Sequence, residues 1–166
     1  MAMPLGTAPG RHLAHHIDLE TPVTTTSTPP TRTVSWKHTA IAAAVGAVGA
    51  LVVTSLIALI ARTALDVPAE FQPLTLPVYG ALTVLGVIIG AIAWHLVVVR
   101  SRNASRVLRV LVPTVLVLSL VPDLMLLTSD SQPGTTTAGV IALMLMHVGV
   151  AAAAVPAFRR FIPPRS

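Results

Sequence analysis

The sequence predicts an all-α fold: an integral membrane four-helix bundle with antiparallel up-down topology, both termini in the cytoplasm, and a disordered N-terminal tail. Three observations carry that prediction. Four apolar runs have the length of a bilayer crossing, charged residues make up only 10% of a chain that is 54% apolar, and the basic residues gather at the edges of the runs. A mean hydropathy of +0.80 lies outside the soluble range. A soluble bundle would show a charged face on each helix, and these runs have none.

Residues 1–35 are rich in Pro, Thr and Gly, as in TPVTTTSTPPTRT (21–33), and lack apolar periodicity, which predicts a disordered cytoplasmic tail. The tail has no signal-peptide core. Its cluster Arg11-His12-Leu-Ala-His15-His16 has metal-compatible histidines without a fixed scaffold, so no metal site is expected there. The four-helix domain is expected over 36–160, with helices at about 39–61, 77–99, 107–127 and 137–157, and a second cytoplasmic tail over 161–166. The first run follows Lys37, exceeds the length of a signal core and lacks a cleavage site, so it is read as a retained anchor. The third carries Pro113, Pro122 and Asp123 and the fourth carries His147.

Ten of the eleven Lys/Arg fall before helix one, between helices two and three, or after helix four, and Arg62 alone falls elsewhere. The positive-inside rule then puts both termini and the turn around Arg100–Arg109 in the cytoplasm. The Asn103-Ala104-Ser105 sequon falls in that turn, out of reach of glycosylation. Short connections at 100–106 and 128–136 make helices two, three and four antiparallel neighbours. The longer segment 62–76 is interrupted by Pro68 and Pro73, and its Val67, Phe71 and Leu74 predict that it lies on the outer face of the bundle rather than in water. In lipid, small residues mark helix contacts: Ala42, Gly46 and Ala50 in helix one, Gly86 and Gly90 in helix two, facing either a neighbour in the chain or a second copy.

Ionisable groups inside the bilayer are the candidate functional residues. Asp123 lies about four residues, or ~6 Å, from the outer end of helix three, with Ser119 one turn before it on the same stripe and Pro122 freeing a carbonyl. The expectation is a shallow, outward-opening polar notch, serving either as a solvated helix end or as a substrate, ion or proton site. His147 sits deeper in helix four and should face inward, as a structural hydrogen-bond partner or a proton relay. His147 lies about ten residues from the outer boundary, which leaves a vertical gap of ~9 Å to Asp123 and argues against a direct pair, though water could span it. Glu70 completes the set of candidates, and His95, beside Trp94, reads as an interfacial residue.

No cofactor is expected. The absence of cysteine excludes thiolate-bound metals and disulfides, and a haem held by His95 and His147 fails because their depths differ by ~12 Å. The chain lacks HExxH, GxSxG and P-loop motifs, which weighs against an enzyme. Its few aromatic residues and edge-placed charges exclude nucleic acid, leaving the bilayer, a second copy or another membrane protein as partners.

VPAEFQPLT (67–75), SLVPDL (119–124) and ALMLMHVGVAAAAVP (142–156), set among four apolar segments with an Arg-rich middle turn, resemble the uncharacterised four-helix membrane proteins of actinobacteria. That resemblance implies the fold and an inner-membrane location but no activity. The functional expectation is a small accessory or interaction protein. The alternatives are a proton- or ion-coupled transporter using Asp123 and His147, or a membrane-embedded enzyme acting on a lipid or quinone.

Overall fold

The computed structural model describes residues 34–129 and 131–164. Among these residues the chain is helical without strands: α1 (Trp36–Ala64), α2 (Leu76–Arg100), α3 (Ala104–Met125) and α4 (Thr137–Phe161), with a 3-10 helix at Gln72–Leu74 between α1 and α2. Each of the four long helices is long and apolar enough to cross a membrane. The tail expected over the N-terminal residues lies outside the described residues up to position 33, as do its histidines.

The helix ends follow from local chemistry. Ser35 is extended and its Oγ accepts the Lys37 N–H at 3.3 Å, so α1 starts one turn ahead of its apolar run. Asn103 caps α3 through the Arg106 N–H, and Thr136 caps α4 through the Gly139 N–H. Pro77 lies in the first turn of α2, where its missing N–H costs nothing. Beyond α1 the chain reverses at Asp66, which has a φ of 48°, a left-handed conformation that Asp tolerates better than most residues. The Val67 N–H returns to the Ala61 carbonyl at 3.1 Å. That turn sends Val67 inward, and Val67, Phe71 and Leu74 are all buried, together with Ala58, Tyr79 and Met146. Gly134, with a φ of 70°, packs on this segment so closely that a Cβ would lie 3.1 Å from the Phe71 nitrogen.

The most extensive packing is between α1 and α4. Ala42, Gly46, Ala50, Thr54 and Ala58 form a buried stripe at four-residue spacing along α1. A Cβ on Gly46 would sit 3.4 Å from the Ala154 Cα, and one on Gly149 only 2.6 Å from Val53 Cγ1. The small residues of α1 thus serve contact within the chain. The two glycines of α2 differ from each other: Gly90 faces the Phe158 ring, while a side chain at Gly86 would meet open space. At the far end of α2, the buried Trp94 donates its indole N–H to the Ile162 carbonyl at 2.9 Å. Ile162 is itself fully buried, so the segment expected as a tail from 161 is still part of the fold at its first two residues.

α3 is the least buried helix, with Ala104, Leu108 and Asp123 as its only buried residues. Large apolar side chains point outward on all four helices, among them Val52, Leu82, Val110 and Leu145. In water such a surface would aggregate, whereas in hydrocarbon it is ordinary.

Candidate functional site

The site is built where α3 meets α4. Asp123 occupies the last turn of α3 and is only 7% exposed. Its Oδ2 lies 2.9 Å from His147 Nδ1. The same Nδ1 lies 3.0 Å from the Leu143 carbonyl one turn earlier on α4. A carbonyl only accepts, so this geometry puts a proton on Nδ1 and directs it at Leu143. Asp123 Oδ2 is therefore at ion-pair distance from the ring without receiving a directed hydrogen bond, and it is fully buried with no hydrogen-bond partner. An orphaned carboxylate oxygen among apolar helices is costly, and it is the most unusual polar atom of the described residues.

This contact overturns the depth argument made from the sequence, in which Asp123 and His147 stand ~9 Å apart. Asp123 is two residues from the end of α3, while His147 is ten residues from the start of α4. They meet because the helices do not end in one plane: at 1.5 Å per residue, α3 stops about 12 Å short of the start of α4. The connection between them makes up the difference, and its Leu126 packs against the cluster around Phe71, Tyr79 and Met146. Asp123 is correspondingly buried rather than solvated at a helix end. His147 also departs from expectation, since its side chain is 38% exposed on the flank facing α3 rather than sunk in the core.

The other candidates do not join the pair. Ser119 donates its hydroxyl to the Leu116 carbonyl on its own helix at 2.7 Å. Glu70 is exposed, beside the turn at Gly134. The expected notch of Ser119 and Asp123 is thus replaced by a pair made across two helices.

Two polar contacts escaped the sequence reading. His95 is buried: its Nδ1 lies 2.7 Å from Thr39 Oγ1, and its ring stacks on Trp36 with centroids 4.1 Å apart. Arg62, half-buried, donates Nε–H to the Leu74 carbonyl at 3.3 Å, near Tyr79, whose hydroxyl donates to Ser55 at 3.1 Å. The signal for His95 was Thr39 and Trp36 at the start of the preceding helix, the second legible only once α1 is extended back to Ser35.

Four apolar helices, two of them brought together at an acid–imidazole pair whose carboxylate is buried, define a multi-pass membrane protein by length and composition. Within that class, the chain belongs to a family of unknown function (DUF6069), whose family model matches residues 14–163. Neither the curated proteins nor the solved structures give a match.

Proposed function

We propose that this chain is a small accessory or interaction protein of the bacterial cytoplasmic membrane, a four-helix up-down bundle with both termini inside, in which Asp123 and His147 latch α3 to the rest. The observation that carries this reading is the use of that pair: the one buried carboxylate of the described residues is spent on holding the helix that is otherwise least packed. The topology draws support from contacts between opposite ends of α1 and α2, Thr39 with His95 and Ser55 with Tyr79, and from Gly149 against Val53. Orientation rests on the asymmetry of Lys and Arg. An enzyme on a lipid or quinone would need a cavity joining Glu70, Asp123 and His147; the two grooves described lie between α1 and α2 and are lined by none of these. Crosslinking in native membranes should recover one reproducible protein partner, which includes a second copy of the chain. Recovery of the chain alone would count against the reading.

The orphaned Oδ2 favours a second reading, proton- or ion-coupled transport. Its lone pairs receive no directed hydrogen bond, so this site has a place to load a proton. In proteoliposomes Asp123→Asn should then abolish pH-dependent flux while the protein stays folded; unchanged flux removes transport from consideration.

A further inference from the structure

We propose that the furrow between α1 and α2 binds an anionic phospholipid, its phosphate on Arg62 and an acyl chain along the α2 wall. The proposal depends on the chain spanning a membrane and on neither functional reading of the Asp123–His147 pair.

Two adjoining grooves share Leu76. The one at the helix ends, about 380 Å³, is lined by Ser55, Arg62, Thr75 and Tyr79 as well as apolar residues. The other, about 510 Å³, is lined by apolar residues alone, including Leu51, Gly80, Leu85 and Ile88. A polar end continuous with an apolar trough is the shape of one amphipathic molecule, headgroup and chain.

The sign and position of the charge select the headgroup. Arg62 follows Trp36 by 26 residues along α1, or ~39 Å of helical rise, against ~30 Å of hydrocarbon, so its guanidinium reaches headgroup level. It is also the one Lys/Arg outside the three basic segments of the chain. Its Nε–H is committed to the Leu74 carbonyl, which fixes the plane of the fork. The four N–H groups of its two Nη atoms remain, and among the described residues no carboxylate lies within ion-pair distance, although Asp66 and Glu70 are close in sequence. A planar fork held by one bond, with its remaining donors unpaired, suits phosphate oxygens. Tyr79 and Ser55 add hydroxyls beside it.

Gly80 keeps the trough open. A Cβ there would make only ordinary contact, at 3.7 and 3.8 Å, with the side chains of Leu76 and Leu51, so a larger residue would occupy the space proposed for the acyl chain without striking backbone.

The test is native mass spectrometry of the full chain from mixed micelles of phosphatidylglycerol and phosphatidylcholine. Both lipids carry the phosphate, but the choline cation is repelled by the Arg62 guanidinium, so the wild type should retain phosphatidylglycerol in preference by roughly tenfold. Arg62→Gln should lose that preference, Arg62→Lys, which keeps the charge without the fork, should keep only part of it, and Gly80→Leu should reduce retention of both lipids while Arg62 is intact. Should Arg62→Gln fail to fold, Arg62→Lys and Gly80→Leu still decide. Equal retention of the two lipids by the wild type, undiminished preference in Arg62→Gln, or full retention in Gly80→Leu would each overturn the site. Displacement of the lipid by millimolar inorganic phosphate would also overturn it, by making the ligand a free anion.

Discussion

His147 Nδ1 lies 3.0 Å from the Leu143 carbonyl of its own helix, a contact that does not require Asp123, so the two halves of the pair should respond unequally to removal. Asp123→Leu leaves a satisfied imidazole on a partly exposed flank and should cost under about 1.5 kcal/mol, the range of tolerated apolar replacements of buried pairs. His147→Leu replaces the ring 2.9 Å from the buried carboxylate with hydrocarbon and should cost more, roughly 1–3 kcal/mol. Unfolding of both single variants and of the double variant in one detergent checks this: equal losses would mean that the carboxylate is hydrated in place. Asp123 and His147 were both legible as the polar residues to watch, because ionisable groups stand out against apolar runs. Their contact was not, because a sequence gives the distance of each residue from its own helix end and not the offset between two ends. The contacts of His95 were missed for a related reason. Its stacking partner Trp36 belongs to a turn of α1 that hydropathy does not include and that the Ser35 cap adds, and Thr39 is the residue on which that turn joins the apolar run.

At the scale of elements, the contact of α1 with α4 depends on the missing side chain of Gly149. Val53 Cγ1 lies 2.6 Å from where its Cβ would be. A β-branched residue in a helix is held to one rotamer, so Val53 has little freedom to withdraw. Gly149→Ala should therefore destabilise the bundle by about 1–3 kcal/mol, against the helix-propensity gain of up to ~1 kcal/mol that the same change brings at an open site such as Gly86. Thermal unfolding of the two variants compares them directly, and equal stability would mean that the helices part without cost. The existence of four long helices was legible because bilayer length and hydropathy act on every residue of a run. The use of their glycines was not, since Gly46 and Gly149 are packed, Gly86 is open and Gly90 meets a ring, yet all four look alike in sequence.

For the whole molecule, orientation is the decisive question, and the absence of cysteine makes it easy to pose. Single cysteines at Ser105 and Glu70 should be labelled by an impermeant maleimide from opposite faces of the membrane, Ser105→Cys from the cytoplasm only and Glu70→Cys from outside only. Labelling of both from one face would refute the up-down arrangement. The segment between α1 and α2 has a recognisable apolar rhythm in its letters, but the furrow beside it depends on how closely two helices approach, which composition does not encode. The buried carboxylate near the end of α3 has a further consequence during synthesis. Entering the bilayer alone, that helix would carry an acid worth roughly 2.5–3.5 kcal/mol against insertion, along with two prolines. The imidazole that receives it is made 24 residues later, as 147 − 123 counts, on the next helix to leave the ribosome. Secure seating of the third crossing therefore waits on the fourth, and a nascent chain interrupted between them would hold its acid in lipid with nothing to meet it.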